Sequence, residues 1–276
     1  MSKKIEYSLI KDSGNASYVN RLLVATPTTG LVRMEWVSAR YGQIVPTNWS
    51  MVQYVQFMNP FIPLRYSVAD AQNVITQTAI EKDFKWVLLI EHDTCPPVDA
   101  FIRFNDYIRS AKYPVVSGLY YTRSQPAEPM AYRGRGNSYF SDWKLGDKVW
   151  VDGVPTGMLL INVDLLKAMW DDSPEYMAGD VKCRRVFETP NRVWFDEASG
   201  SFNTLTGTSD MEWCTRVIEG GYLKKAGWPE LQRKKYPFLI DTKIACVHID
   251  QDGTQYPYAG FRYDPNLAKK ATKKVK

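Results

Sequence analysis

A run of large apolar residues that ends abruptly in acid constrains this chain more than any other stretch. Phe84-Lys85-Trp86-Val87-Leu88-Leu89-Ile90 leads into Glu91-His92-Asp93, and Pro96-Pro97 then blocks further strand. Proline lacks the N–H that a sheet ladder needs. Five successive apolar residues, Trp86 to Ile90, predict a strand buried on both faces, as in the middle of a parallel sheet. Acidic groups at the carboxyl end of such a strand stand where open α/β sheets bind ligands. Glu91 and Asp93 are two apart, so extended backbone would point both the same way. Two adjacent carboxylates repel, and a divalent cation relieves the repulsion. The other reading is a pair of helix-capping or solvated loop acids. This stretch alone supports both equally.

The flanking pattern alternates strand and helix. Residues 21–25 predict a first strand, closed by the small, hydroxyl-rich loop Thr26-Pro27-Thr28-Thr29-Gly30. Small residues there let a phosphate or ligand approach the backbone, although the loop matches neither the dinucleotide nor the P-loop pattern. Helical character over 31–41, a second strand over 50–57 and a Pro-rich turn at 59–63 follow. A helix opening at Arg65 runs to about Lys82, with Val68, Ala71, Val74, Ile75, Thr78 and Ala79 at helical spacing. That leaves Asp70 and Asn73 three apart on another face. A helix over 98–111 and a strand over 113–118 complete what reads as a nucleotide-binding α/β half, residues 20–123.

From residue 124 turn formers and short strands dominate. Pieces of a mixed sheet are expected at 130–133 and 148–152, and a buried strand at 155–162 with a helix after it to about Trp170. Residues 171–207 are weakly periodic and predict a long loop, a candidate lid. Ser209 is the expected cap of a helix through Ile218, stopped by Gly220-Gly221. Short strands are expected at 238–241 and 243–248. The organisation expected is an irregular lead-in (1–19), one domain (20–262, with 124–262 its acceptor-side half) and a basic tail (263–276).

Composition excludes little but points consistently. No apolar run approaches the length of a membrane span, and the first residues lack a signal-peptide core, so a soluble, cytoplasmic protein is expected. The four cysteines show no CxxC pairing, which argues for free thiols and against a zinc site. The net charge of +5 is mild. Lys269, Lys270, Lys273, Lys274 and Lys276 crowd the end, which reads as a solvated tail before a nucleic-acid contact.

Only two histidines occur, His92 and His248, each ending an apolar strand beside a carboxylate, Asp250 in the second case. His92 reads as structural. His248 with carboxylates makes a hard, oxygen-rich set with one nitrogen, suited to Mn²⁺ or Mg²⁺.

The order of Thr26-Pro27-Thr28, Asp70-Ala71-Gln72-Asn73, Glu91-His92-Asp93, Gly118-Leu119-Tyr120, Thr156-Gly157, Ser209-Asp210-Met211-Glu212-Trp213-Cys214 and His248 resembles the GT-A fold glycosyltransferases, in particular compact family-two-like enzymes of bacteria and phages. The match spans roughly residues 20–250. It implies an α/β fold: a single Rossmann-like GT-A domain, its mostly parallel central sheet flanked by helices, with a smaller mixed sheet on the acceptor side. It also implies a hexosyl- or pentosyltransferase that takes a nucleotide-diphosphate sugar, a UDP-sugar above others, with Mn²⁺ or Mg²⁺. By the resemblance Thr26, Pro27 and Thr28 would line base and ribose with Asp70 and Asn73 behind them. Glu91 would touch ribose or metal-bound water, Asp93 and His248 would hold the metal, and Thr156 and Gly157 would border the sugar. Asp210 would face the acceptor as general base. The chain departs from the family pattern at Gln72 (usually Arg), Glu91 (usually Asp) and Ser209 (usually Glu).

Two other classes compete. A nucleotidyltransferase acting on a sugar phosphate shares the α/β half, but its Gly-rich basic signature is missing after the first strand. A non-catalytic nucleotide-sugar-binding module would not need Asp93, Asp210 and His248 together. The acceptor is open between a saccharide and a hydroxymethylated base in phage DNA. The basic tail, Arg133-Gly134-Arg135-Gly136 and Arg233-Lys234-Lys235 are the groups that could follow a phosphate backbone.

Overall fold

The structure, a computed structural model, describes residues 21–46, 50–57, 67–135 and 139–257. The lead-in, the Pro-rich turn at 59–63 and the basic tail lie outside the described residues. The first half alternates as its sequence pattern requires: β1 (Arg21–Thr28), α1 (Met34–Tyr41), β2 (Ser50–Phe57), α2 (Val68–Glu81), β3 (Trp86–Ile90), a short β4 (Thr94–Cys95), α3 (Ala100–Ser110) and β5 (Val115–Leu119). The second half holds β6 (Lys148–Val151), β7 (Met158–Asn162), α4 (Val163–Asp172), β8 (Glu175–Ala178), β9 (Val181–Arg184), β10 (Asn191–Asp196) and β11 (Ser201–Thr206). It ends in α5 (Ser209–Glu219), the short helices α6 (Tyr222–Lys225) and α7 (Pro229–Gln232), β12 (Phe238–Ala245), β13 (Val247–Ile249) and β14 (Gln255–Tyr256).

Seven strands form the central sheet in the order β2-β1-β3-β7-β5-β12-β6. β1 is parallel to β2 and β3, and β12 is parallel to β5, while β7 runs antiparallel between β3 and β5 and β6 antiparallel at the edge. Five strands therefore share one direction. β3 differs from expectation in one respect: only one of its neighbours, β1, is parallel.

β3 is apolar throughout because helices cover both faces of the sheet. Successive strand residues point to opposite sides. Leu23, Ala25, Val87, Leu89, Leu159 and Ile161 pack on one side with Ile75 and Ala79 of α2, Leu166 of α4 and Trp213 and Val217 of α5. Leu22, Val24, Trp86, Leu88, Ile90 and Leu160 pack on the other with Phe101, Phe104 and Ile108 of α3.

Four local expectations are corrected. Residues 171–207 are not an irregular loop but two antiparallel hairpins, β8–β9 and β10–β11, the second with Phe195 opposite Phe202. Strands of four residues are too short to show a period, and the two-residue Gly179-Asp180 link, with Gly179 at φ 60°, is the only turn signal in the first hairpin. The cap of α5 is Thr208, one residue before Ser209. Residues 130–133 form no strand; Tyr132 makes isolated bridges to Tyr139 and Gly153. The expected pair of strands at 238–241 and 243–248 is instead one continuous β12 followed by β13. β13 leaves the main sheet and joins β4 and β14 in a three-stranded sheet.

Candidate active site

The site residues gather at one edge of the central sheet. β1, β3, β5 and β12 end there, and antiparallel β7 begins there, so Ile90 lies opposite Met158. That reversal brings Thr156-Gly157 against Glu91-His92-Asp93: Glu91 N donates to Gly157 O at 3.0 Å. Glu91 and Asp93 do not come together by strand alternation. The chain turns after Ile90, with Thr94 N donating to Glu91 O at 3.1 Å.

Glu91 belongs to a chain of buried hydrogen bonds. Thr156 Oγ1 donates to Glu91 Oε1 at 2.8 Å and accepts from Gln72 Nε2 at 3.1 Å. Trp36 Nε1 donates to the Glu91 carbonyl at 2.7 Å. Burial first, and then the charge of Asp93, push the Glu91 carboxyl up to about 8. Asp93 moves the other way. Burial opposes its charge, but the His248 ring and the Arg123 guanidinium outweigh that and hold the carboxyl below its usual range. Environments that separate two neighbouring carboxyls in this way give them different protonation states.

Asp93 and His248 meet because β13 pairs with β4, placing His248 opposite Thr94, and Ile249 N donates to Asp93 O at 2.8 Å. His248 Nε2 is 3.5 Å from Asp93 Oδ2, and its Nδ1 is 2.9 Å from the Tyr121 carbonyl. A carbonyl at Nδ1 fixes the proton there and leaves Nε2 as the lone pair. Arg123 lies between these groups. Its guanidinium pairs with Asp93 Oδ2, and its Nε lies 3.0 Å from both His248 Nε2 and Asp250 Oδ1.

The donor set fits a hard divalent cation. Asp93 Oδ1 is buried without a hydrogen-bond partner, and a ligating histidine is typically held by its second nitrogen, as His248 is. Among the described residues no group of three or more His, Cys, Asp or Glu side chains is gathered to hold a metal by itself. One carboxylate and one imidazole suit Mg²⁺ or Mn²⁺ bound together with water and substrate phosphates.

Asp210 stands in the first turn of α5, where an acid also suits the helix dipole. It accepts from Thr208 Oγ1 and from Met211 N at 2.8 Å, and burial raises its carboxyl. Its charge acts on Glu91, Tyr120 and Tyr132. Tyr120 is buried, its hydroxyl accepts from Gly157 N at 2.7 Å, and burial followed by the charges of Glu91 and Asp210 raises it well above the ordinary phenol. Glu91, Asp93, Thr156, Gly157, Asp210 and His248 thus share one electrostatic neighbourhood.

The other expected residues are used differently. Thr26, Pro27 and Thr28 are buried, and Thr28 Oγ1 accepts from Gly30 N at 3.1 Å in the turn closing β1. Asp70 completes a capping box with Ser67 and accepts from the Tyr176 hydroxyl at 2.7 Å. Asn73 donates to Tyr176 and to Phe187 O and accepts from Phe187 N at 2.7 Å. Asp70 and Asn73 therefore fasten residues 176–187 to α2.

Open space lies on the α1 side. A cavity of about 140 Å³ is lined by Leu31, Arg33, His92, Asp93, Arg123, Asp250 and neighbours. It adjoins a groove of about 1130 Å³ along Leu31–Glu35, Ser38 and Ala39, sharing Leu31, Arg33 and Gln251 with it. Arg33, Tyr120 and Arg123 were not anticipated as site residues. Tyr120 closes the Gly118-Leu119-Tyr120 motif at the end of β5, and Arg123 follows three residues later. The basic runs are largely tied into the fold: Arg133 stacks on Phe140 and Tyr236, Lys234 lies over Trp150, and Arg135 pairs with Glu219.

No protein-family model matches the chain, and no curated protein matches it in sequence. Solved structures do resemble it. A197 from STIV is 16% identical over 84% of this chain and 87% of its own, with a TM-score of 0.49. S. aureus TarS is 11% identical over 54% of this chain and 29% of its own, with a TM-score of 0.34. A glycosyltransferase involved in glycosylation of the major capsid of PBCV-1 is 14% identical over 54% of this chain and 65% of its own, with a TM-score of 0.27. Likeness of this degree carries no activity over to this chain. The four cysteines are free thiols, and no helix among the described residues is long and apolar enough to cross a membrane.

Proposed function

We propose that this chain is a metal-dependent glycosyltransferase of the GT-A kind, moving a sugar from a nucleotide-diphosphate donor, a UDP-sugar first, to an acceptor hydroxyl. The observation that carries the reading is convergence. Four segments far apart in sequence, 91–93, 156–157, 210 and 248, supply an acid–imidazole pair, a hydrogen-bonded threonine and a second acid within one electrostatic neighbourhood. The groove beside α1 is large enough for a nucleotide.

Asp93 and His248 Nε2 would hold Mn²⁺ or Mg²⁺, which when bound supplies Lewis-acid stabilisation of the charge that grows on the leaving diphosphate. Thr156, fixed by Gln72 and Glu91, would border the sugar together with Gly157. Asp210 would take the proton from the attacking acceptor hydroxyl. Burial raises its carboxyl, which makes it a stronger base than an ordinary aspartate.

The test is nucleotide release from a panel of sugar nucleotides with and without Mn²⁺, followed by saccharide and hydroxymethylated-DNA acceptors. Mn²⁺-dependent release is expected, and Asp210→Asn should abolish transfer while UDP affinity stays within about threefold. Strong residual transfer by Asp210→Asn removes the base role. Absence of Mn²⁺-dependent nucleotide binding removes the enzyme reading as a whole.

A further inference from the structure

Arg123 touches all three polar groups of the Asp93–His248–Asp250 cluster. Building on the metal-site reading above, we propose that Arg123 is a diphosphate-binding residue held in reserve. Its guanidinium fills the cation's place on Asp93, and it turns to the donor's diphosphate when the cation takes that carboxylate.

Three observations carry this. First, the contacts coincide: the carboxylate oxygen facing His248 Nε2 is the one Arg123 occupies, and Arg123 Nε caps the lone pair that a cation would use. Asp93 Oδ2 and His248 Nε2 therefore cannot serve the guanidinium and a metal ion at once. Second, Arg123 has open space beside it. Its side chain is 42% exposed and lines the 140 Å³ cavity that opens toward the α1 groove. Arg33, the other cation of that cavity, is engaged with Glu35 and with the Gln251 carbonyl.

Third, charge favours exchanging one cation for the other on the two acids. Arg123 leaves Asp93 and Asp250 with a net negative charge, whereas a divalent ion neutralises both. The released guanidinium then faces a doubly charged diphosphate, whose oxygens match its planar fork. Each ligand thereby removes the competitor of the other, so nucleotide and cation should bind cooperatively.

Titration calorimetry of Mn²⁺ and UDP, singly and together, tests this on the wild type and on Arg123→Gln and Arg123→Lys. Thermal melting checks that each variant is folded. Arg123→Gln is expected to bind Mn²⁺ alone about tenfold more tightly, to bind UDP with Mn²⁺ about tenfold more weakly, and to lose most of the cooperativity between them. Arg123→Lys, which keeps the charge without the fork, should fall between. If the wild type binds Mn²⁺ and UDP together but Arg123→Gln leaves Mn²⁺ affinity unchanged or weaker, Arg123 is a structural ion pair and this inference fails alone. If the wild type binds neither, the glycosyltransferase reading fails with it.

Discussion

Gly157 offers a direct measure of how tightly the site is built. A methyl group there would lie 2.4 Å from Cζ and the hydroxyl oxygen of Tyr120 and 2.8 Å from Thr94 Oγ1. Tyr120 is 2% exposed and Thr94 0%, so neither has space to retreat into. The Gly157 N–H also donates to the Tyr120 hydroxyl, and a displaced ring breaks that bond. Overpacking a filled core costs about 1–3 kcal/mol, and stranding a buried N–H costs about 1–3 kcal/mol more. Gly157→Ala should therefore destabilise the protein by about 2–5 kcal/mol, lowering Tm by roughly 5–15 °C. Tyr120→Ala removes the obstructing ring at a cost of about 3–5 kcal/mol of its own. If that ring is what the methyl meets, the double variant should be less than additive by at least about 1 kcal/mol. Urea unfolding of the four proteins measures the cycle. Additivity, or a Gly157→Ala variant within about 0.5 kcal/mol of wild type, would refute the steric argument.

Two further outcomes follow from packing elsewhere. Asn73→Ala strands Phe187 N and O and removes a Tyr176 contact, so it should destabilise by about 2–4 kcal/mol and speed proteolytic cleavage within 171–207; unchanged cleavage would show that α2 does not anchor that region. Cys183, Cys214 and Cys246 are buried, and burial raises all three thiols, so a thiol reagent should titrate at most Cys95 in the native protein and all four in urea.

Much of the fold was legible because burial on both sheet faces leaves an unbroken apolar signal. β2 was anticipated at Ser50–Phe57, and β3 and α2 to within a few residues. The hairpins at 175–184 and 191–206 were not. Their strands are short, and β10 exposes Val193, Trp194 and Phe195, so no alternation marks a buried face. Within the site, the family resemblance placed Asp93 and His248 together, and the structure sets His248 Nε2 3.5 Å from Asp93 Oδ2. The expectation that Glu91 and Asp93 would align by strand alternation was wrong in mechanism, because the backbone turns at Glu91.

The sequence alone determined where the strands stop and which acids stand at their ends, since apolar runs, prolines and glycines act over a few residues. Tertiary structure decided which of those acids share a site. Antiparallel β7 brings Thr156 to Glu91, β13 brings His248 to Asp93, and Arg123 enters from the end of β5. Strand order and direction in a sheet depend on pairings between distant segments, and no local pattern encodes those. Asp70 and Asn73 show the same limit from the other side. Their spacing on α2 is local and correct, but only packing assigns them to Tyr176 and Phe187.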